Sequence, residues 1–462
     1  MSISIFPSTD RFVPDTNELS VVSWNQLLPS SVDGWWLYKQ FCPVTPCDKR
    51  TWDYRKELFE ARLLNDDKPD IITLQEASER SHEIDYDNFS LHYEWEVANR
   101  GRMRCLTMWR AGFFSHLGTY SKDRTLITCL RRKSDGRLFW VVNVHLQAGG
   151  GNEDRRLRQV HDALETIRKK AKGDLKLEDE QNTCIVAGDF NVDLNVDSQS
   201  AITKLLADGV VPASTFDNGV LVARKDKKQS LGPFANAFRL AYSSNNLPPP
   251  STLVAPQLIP RLISSGGGGN GEIVPTAGFV SAVRRMFHFY ASGEEGMTQK
   301  EVDAFLTDIN LSIERGSEMR FAKKIMVEKV EEKRLKEGGG GGVEDVYFSS
   351  ADLIKLYMNE LKGGKFWGVA HDLVFVFSKF GKVDELEKLN VVPRWYLRGE
   401  PCGESDLGKD AEIFEAAFDN VFFTSDTLDL VAVEDISGKF QPMPNEQEPS
   451  DHKPLRCVFR FK

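Results

Sequence analysis

The tetrapeptide Gly188-Asp189-Phe190-Asn191 closes an apolar run, Cys184-Ile185-Val186-Ala187, that reads as a buried strand. Asp189 and Asn191 are two residues apart, so on an extended edge both can face one side. A carboxylate there can hold a cation or take a proton from water, and a carboxamide can donate to a phosphoryl oxygen without adding negative charge. Alone, the tetrapeptide could equally be a turn closed by Asx side chains. The same feature recurs, however. Strand-like runs at 19–25, 71–76 and 138–145 end on Asn25, Glu76 and His145. Asp419 lies at the tip of a run at 418–424, and Asp451-His452 occupies the last turn before the closing run at 456–461. Singly, each has an ordinary reading as a strand-end charge, a satisfied core imidazole or a turn cap. Their recurrence wherever a core strand ends is what random placement does not readily give.

Phosphodiester hydrolysis supplies a common purpose. It needs a cation to polarise the phosphoryl group, a base for water, and neutral or positive groups for the developing charge. Glu76 is a hard oxygen ligand suited to Mg²⁺, with Asn25 and Asp451 beside it and Mn²⁺ as an alternative ion. Asp189 is expected to align or deprotonate the attacking water, and Asn191 to orient the phosphate. His145 and His452 are expected to bind phosphate, with Asp419 fixing the tautomer and orientation of His452.

The elements that must carry these residues follow from hydrophobic patterning. Helix patterns begin at Trp52, with Leu58, Leu63 and Leu64 as core positions, and span 152–170 and 201–206. Further strands are expected at 91–95, 105–109 and 125–131, the last pairing with 138–145 about Ser134-Asp135-Gly136. The aromatics Trp35, Trp36, Tyr38 and Phe41 fall in a loop. Pro248-Pro249-Pro250 and the glycine runs 266–269 and 338–342 mark linkers. Helical patterns at 282–290, 300–310, 319–336 and 349–361 follow, and 373–380 is apolar. Strands with polar tips thus occupy both ends of the chain around a helical insert. The patterning alone predicts an α/β sandwich of two layers. Residues 1–245 form its first part, 275–372 the insert and 373–462 its second part.

The chain has 462 residues, enough for a large domain plus an insert, and a formal net charge of -9. That balance argues against a non-specific polyanion binder and for local contacts to any nucleic acid. Cys42 and Cys47 lack metal-type spacing, while Cys129, Cys184 and Cys457 sit in apolar runs and read as buried thiols. With no signal-type N-terminus and no apolar run of about 20 residues, an intracellular location in cytoplasm or nucleus is expected.

Six ordered motifs carry a resemblance: Ser-Trp-Asn at 23–25, Pro-Asp-Ile-Ile-Thr-Leu-Gln-Glu at 69–76, Asn-Val-His-Leu at 143–146, Gly-Asp-Phe-Asn at 188–191, Phe-Asp-Asn-Val-Phe-Phe at 418–423 and Ser-Asp-His at 450–452. In content, order and spacing the chain resembles the endonuclease/exonuclease/phosphatase superfamily over 19–240 and about 390–462. The resemblance implies a four-layer αββα sandwich, sharpening the two-layer reading. It places the metal ligand at Glu76, the water-activating carboxylate at Asp189, and the Asp-His pair at Asp419 and His452. Within the superfamily the chain looks most like the deadenylase and nocturnin branch. The residues for that are Trp52 with Arg55, His145-Leu146 before the small-residue loop 149–151, and Arg156 with Gln159, which are expected to contact substrate. Asn420 stands where the family usually has Tyr, so altered local packing is expected with the chemistry intact.

Within the insert, Gly296 to Glu301 resembles the second half of an EF-hand loop, and Tyr347 to Asp352 looks like a second copy. Glu301 and Asp352 would be the closing ligands. Counting back, Tyr290, Ser292 and Glu294 occupy the first ligand positions of one loop, and Gly341, Val343 and Asp345 those of the other. Both lack the leading Asp, so Ca²⁺ should bind poorly and the pair should be structural.

The leading functional expectation is a Mg²⁺-dependent phosphoesterase acting on RNA 3′ ends or on nucleotides. Exonuclease, 2′-phosphatase and cyclic-phosphate hydrolase activities all fit. An EF-hand-regulated scaffold without catalysis is the rival of a different class, and the retention of every motif residue argues against it. An inositol- or lipid-phosphate phosphatase lacks a basic amphipathic membrane segment to support it.

Overall fold

The computed structural model describes residues 3–7, 17–29, 49, 51–64, 68–101, 103–173, 183–194, 200–257, 259–265, 273–310, 317–336, 346–400, 410–437 and 443–462. The aromatic loop at 35–41, Cys42, Cys47 and the two glycine runs lie outside them. The chain divides into two compact units. One gathers the described residues up to Val254 and from Glu415 onward, and the other spans Ala255–Phe414.

In the first unit β1 is Ser4–Pro7, β2 Glu18–Asn25, α1 Trp52–Leu63, β3 Ile71–Ser78, β4 Tyr93–Val97 and β5 Met103–Arg110. Then come β6 Phe114–Lys122, β7 Thr125–Arg132, β8 Leu138–His145, α2 Glu153–Gly173, β9 Thr183–Asp189 and α3 Ala201–Asp208. After β10, Phe234–Asn236, and α4, Ala237–Ser244, the chain passes through the second unit. The first unit resumes with β11 Asp419–Thr424, β12 Leu428–Asp435 and β13 Leu455–Phe461.

These strands form a seven-stranded sheet in the order β1-β12-β13-β2-β3-β5-β4 and a six-stranded sheet in the order β10-β11-β9-β8-β7-β6. Nearly unbroken apolar runs such as Ile71-Ile72-Thr73-Leu74 and Cys184-Ile185-Val186-Ala187 are buried on both faces, as a sheet inside a layered sandwich requires. Leu19, Val21 and Ile71 of one sheet pack with Phe139, Val141, Ile185 and Val421 of the other. On the outer face of the six-stranded sheet, Leu157, Val160, Leu164 and Ile167 of α2 meet Trp140, Val142 and Val186. On the outer face of the seven-stranded sheet, Trp52, Phe59 and Leu63 of α1 meet Trp24, Ile72 and Met108. Helix, sheet, sheet, helix is the four-layer αββα sandwich, in place of the two layers that patterning alone predicts.

Helix α1 is capped by Thr51, whose Oγ1 accepts from the Tyr54 N–H at 3.4 Å. Its inward stripe is Trp52, Arg55, Phe59 and Leu63. Leu58 and Leu64, expected in the core, are half-buried. A buried arginine in the stripe rotates the inward face away from them.

The second unit is helical. Helix α5 is Ala277–His288, α6 Gln299–Asn310, α7 Ser317–Lys336, α8 Ser350–Lys362 and α9 Phe366–Lys379. Phe279, Met286, Phe305, Leu353, Leu356, Leu373 and Phe377 share one core. The apolar stretch at 373–380 therefore lies largely within α9 of this unit, and strand returns at β11. Between α5–α6 and α7–α8, Met297 and Phe348 pair as an antiparallel bridge, with N–H to carbonyl distances of 2.9 and 2.8 Å.

Candidate active site

Strand register brings the polar tips together. Parallel pairing of β8 with β9 sets His145 beside Asp189, and antiparallel pairing of β9 with β11 sets Asp189 beside Asp419. In the other sheet Asn25 is opposite Gln75, one residue before Glu76. Close approach of β8 and β9 demands Gly188. Its φ is +141°, and an added Cβ would fall 2.0 Å from the Val144 carbonyl oxygen. Glu76 and Asn191 themselves have φ of +64° and +51°. Glu76 is not a residue type that adopts this conformation freely, and such strain gathers at functional sites.

Asn25 links the two sheets' carboxylates. Its Nδ2 donates to Asp189 Oδ2 at 3.0 Å and lies 3.4 Å from Glu76 Oε1. Its Oδ1 accepts from the Leu27 N–H at 3.2 Å, fixing the amide's orientation. Glu76 Oε2 accepts from the Leu28 N–H at 3.0 Å. His145 Nε2 is 3.8 Å from Glu76 Oε1 and 3.7 Å from Asp189 Oδ2. Asp189 Oδ1 accepts from the Asn191 N–H at 2.7 Å, while Asn191 Nδ2 donates to the Leu146 carbonyl at 3.1 Å.

The closing turn completes the cluster. His452 Nδ1 donates to Asp419 Oδ2 at 2.6 Å. The Trp24 indole donates to the His452 carbonyl at 2.8 Å, and Ser450 Oγ donates to the Asn25 carbonyl at 2.6 Å. Asp451, also buried, has Oδ1 3.4 Å from Ser450 Oγ. The structure thus gathers Asn25, Glu76, His145, Asp189, Asn191, Asp419, Asp451 and His452 at one edge of the sandwich.

Burial and mutual charge spread the protonation behaviour of these groups. Burial, with the Asp419 carboxylate, pushes Asp189 up to about 7. Burial alone would neutralise His452, but Asp419, Asp451 and Asp189 outweigh it and hold the imidazolium well above its usual range. Burial pulls His145 down to about 4 despite Glu76 beside it. Burial raises Asp451 as well, with Glu76 adding to the effect. An oxygen of Asp189, an oxygen of Asp419 and a ring nitrogen of His452 lie within 4.8 Å of one another, the imidazole serving as a donor to Asp419 and leaving carboxylate oxygens for a cation. Asp419 Oδ1 is buried without a hydrogen-bond partner among the described residues. An edge rich in carboxylate oxygens, one of them unsatisfied, suits a hard divalent cation.

Three positioning residues carried no sequence signal of that role. Thr252 Oγ1 donates to Asp419 Oδ2 at 2.8 Å and accepts from the Asp419 N–H at 3.0 Å. Ser450 ties the last turn to β2. Arg55, visible in the sequence only as a branch motif, is buried and donates to the carbonyls of Gln26, Leu27, Leu28 and Pro449. It joins the loop after Asn25 to the loop before Asp451.

Arg156 and Gln159 are also buried, and their polar groups are engaged within the protein. Arg156 donates to the Gln147 and Gly149 carbonyls at 2.8 and 2.9 Å and to Glu153 at 2.9 Å. Gln159 accepts from the Gln147 N–H at 3.1 Å and donates to Asp123 at 2.9 Å. Asn420 is likewise used internally, accepting from Asn236 Nδ2 at 2.7 Å and donating to the Ala417 carbonyl at 3.1 Å.

In the helical unit Glu301 accepts from the Ser292 N–H at 3.0 Å and the Thr298 N–H at 2.8 Å. Hydrogen bonding from the Ser292 side chain first, then from the Thr298 N–H, holds its carboxyl down at about 2. Asp352 forms a capping box with Ser349 and pairs with Lys329 at 2.5 Å. Lys329 also donates to the Tyr347 carbonyl at 3.0 Å.

A family model described as "Endonuclease/Exonuclease/phosphatase family" matches residues 22–452. The chain belongs to this family. It is a hydrolase of the family's metal-dependent nuclease and phosphatase kind. Among solved structures it is similar to the human Nocturnin catalytic domain with bound sulfate, at 14% identity over 99% of this chain and 98% of that one, TM-score 0.45. It is also similar to ANGEL2, a 2′,3′-cyclic phosphatase, in complex with adenosine-2′,3′-vanadate, at 12% identity over 96% of each chain, TM-score 0.48. D. rerio TDP2 complexed with a single-strand DNA product matches at 12% identity over 96% of this chain and 100% of that one, TM-score 0.42. No curated protein sequence matches the chain. Among the described residues, no helix is long and apolar enough to cross a membrane.

Proposed function

We propose that this member of the endonuclease/exonuclease/phosphatase family is a Mg²⁺-dependent phosphoesterase acting on RNA 3′ ends or nucleotide phosphates. The observation that carries the reading is the Asn25 amide set between Glu76 and Asp189, with His145 within 4 Å of both carboxylates. Glu76 and Asp451 would hold the cation, which when bound would polarise the phosphoryl group, and the Asn25 amide, its nitrogen toward Glu76 and Asp189 and its oxygen on the Leu27 N–H, would orient Glu76 for it. Asp189, with a proton affinity near neutrality, accepts the proton of the attacking water. Asn191 and His145, kept neutral, orient phosphoryl oxygens without repelling them. His452, charged and held by Asp419, stabilises the negative charge that develops as the ester bond breaks. Arg156 and Gln159 serve this site by bracing the Gln147–Gly149 segment rather than by touching substrate.

The helical unit is read as an EF-hand-like pair that holds its shape without Ca²⁺, inserted into the hydrolase sandwich. The test of the activity is a panel of poly(A), other RNA, 2′,3′-cyclic and 2′-phosphorylated nucleotides, abasic DNA and phosphoinositides with Mg²⁺. Turnover of an RNA or nucleotide substrate that Glu76→Ala abolishes supports the reading. No turnover by wild type, or undiminished turnover by Glu76→Ala, overturns it.

A further inference from the structure

The active-site edge is rich in negative charge. Glu76, Asp189, Asp419 and Asp451 meet there, and the His452 imidazole is already paired with Asp419. An anionic phosphate needs positive charge beyond that pair. The turn between β6 and β7, Asp123-Arg124, lies at this same edge. The Arg124 carbonyl accepts from the His145 N–H at 3.1 Å and from Cys105 Sγ at 3.7 Å.

Arg124 has a φ of +55°. Asn191, Asn218, Asn246 and Asn390 share a positive φ, as asparagine readily does, and Ser214 is a small turn residue. Among the described residues, the remaining non-glycine ones of this kind are Leu27, Glu76 and Arg124. Leu27 follows Asn25 and donates to it, and Glu76 is at the centre of the cluster. The backbone strain at Arg124 therefore falls with that of the site, where a residue type that resists the conformation is retained.

The adjacent carboxylate is already neutralised. Asp123 accepts from Arg155 Nε at 3.1 Å and from Gln159 Nε2 at 2.9 Å. Arg124 is half-buried, and among the described residues its guanidinium has neither a carboxylate partner nor a hydrogen-bond acceptor. Its guanidinium is near enough for its charge to act on both His145 and Cys105. A partly desolvated, unpaired guanidinium at an acidic phosphoester site is unusual unless a ligand completes it.

We propose that Arg124 binds two non-bridging oxygens of the substrate phosphate, an inference that rests on the phosphoesterase reading above. Two donors of its planar fork match two phosphate oxygens, so affinity gains more than catalytic rate does. The α2 residues Arg155 and Gln159 keep Asp123 from taking the guanidinium for itself.

The experiment uses the full chain with Mg²⁺. Calorimetric affinity for inorganic phosphate is measured alongside KM and kcat on a short oligoadenylate for wild type, Arg124→Gly, Arg124→Lys and Glu76→Gln. Glycine relieves the positive φ, so Arg124→Gly removes the guanidinium without straining the fold. Phosphate affinity is expected to fall about tenfold or more in Arg124→Gly and to recover in part in Arg124→Lys, with KM rising in parallel and kcat nearly unchanged. Phosphate affinity unchanged in Arg124→Gly overturns the proposal, as does a loss confined to kcat. If Glu76→Gln hydrolyses as fast as wild type, the phosphoesterase reading fails instead, whatever Arg124→Gly shows.

Discussion

Asn25 of the seven-stranded sheet and Asp189 of the six-stranded sheet meet through a 3.0 Å hydrogen bond across the sandwich. The same amide nitrogen approaches Glu76, so a neutral donor separates two carboxylates. Asn25→Asp would put a third negative group between them, and Asn25→Ala would leave Asp189 without this donor. Both variants should lose about 10- to 100-fold in turnover, the aspartate more. The expected ordering is wild type, then Asn25→Ala, then Asn25→Asp, in initial-rate assays at saturating Mg²⁺. Equal activity in all three would show that the amide does not organise the carboxylates.

Burial and the Asp419 carboxylate push Asp189 up to about 7, and this has a readable consequence. Because its folded-state pKa is raised, it contributes stability that is fully present below the ordinary carboxylate range. That contribution is lost as pH rises through about 7. In EDTA, stabilisation by Asp189→Asn relative to wild type should therefore grow between pH ~4 and ~8. Urea melts at intervals across that window measure it, and a difference independent of pH would contradict the raised value. His145 moves the other way. Its lowered pKa contributes stability present above the ordinary imidazole range and lost as pH falls toward about 4, so the comparison must be with the Asp189 variant rather than with wild type alone.

Much of this site was legible because chemistry and periodicity coincide at strand ends. Apolar runs that finish on Asn25, Glu76, His145 and Asp189 identify both the strands and their direction, and every one of these residues lies in the cluster. Less legible were elements whose patterns are half polar. Strand β6, with Ser115, His116, Thr119 and Ser121, is an edge strand with much of its length only half-buried. Strand β12 alternates, with Asp429 exposed between buried leucines. Neither presents the continuous apolar run of a doubly covered strand. Arg55 was harder still. A charged residue in a helix stripe is ordinarily assigned outward, yet here main-chain carbonyls from two loops satisfy its guanidinium. Thr252 acts on Asp419 from 167 positions away, a relationship no local pattern carries.

The helical unit should not respond to calcium. Glu301 already accepts backbone and hydroxyl donors, and Asp352 is committed to Ser349 and to Lys329. Lys329 further donates to the Tyr347 carbonyl. That carbonyl and Asp352 are the seventh and twelfth positions of the second loop-like segment, where an EF-hand loop presents oxygens to Ca²⁺. On the EF-hand-like reading proposed above, the Lys329 ammonium already engages two of the oxygens that would face the ion. Thermal melts of the full chain in EDTA and in millimolar Ca²⁺ should coincide. A Ca²⁺-dependent rise of more than about 2 °C would mean that the ion displaces these contacts.

Gly188 should tolerate no side chain. A Cβ at 2.0 Å from the Val144 carbonyl oxygen meets backbone, and the φ of +141° is itself closed to alanine. Neither β8 nor β9 can retreat, since their other neighbours in the sheet hold them in place. Gly188→Ala should cost about 3 kcal/mol or more in urea unfolding. It should also lower activity in the fraction that folds, because any shift displaces His145 against Asp189. Wild-type stability in this variant would mean that the strands are farther apart than described.

Arg55 separates positioning from simple stability. Its planar guanidinium reaches carbonyls on two loops at once, one following Asn25 and the other preceding Asp451. Arg55→Lys keeps the charge but replaces a fork by a single ammonium, which cannot span both loops. Arg55→Met keeps much of the apolar stem and leaves buried carbonyls without donors, at a cost of about 1–3 kcal/mol for each unsatisfied group. Lysine should therefore recover much of the melting temperature but little of the turnover. If Arg55→Lys restores stability and kcat together, the arginine acts as a buried charge alone. If kcat stays depressed while the fold is recovered, the bridge between the two loops is what sets Asn25 and Asp451 in register.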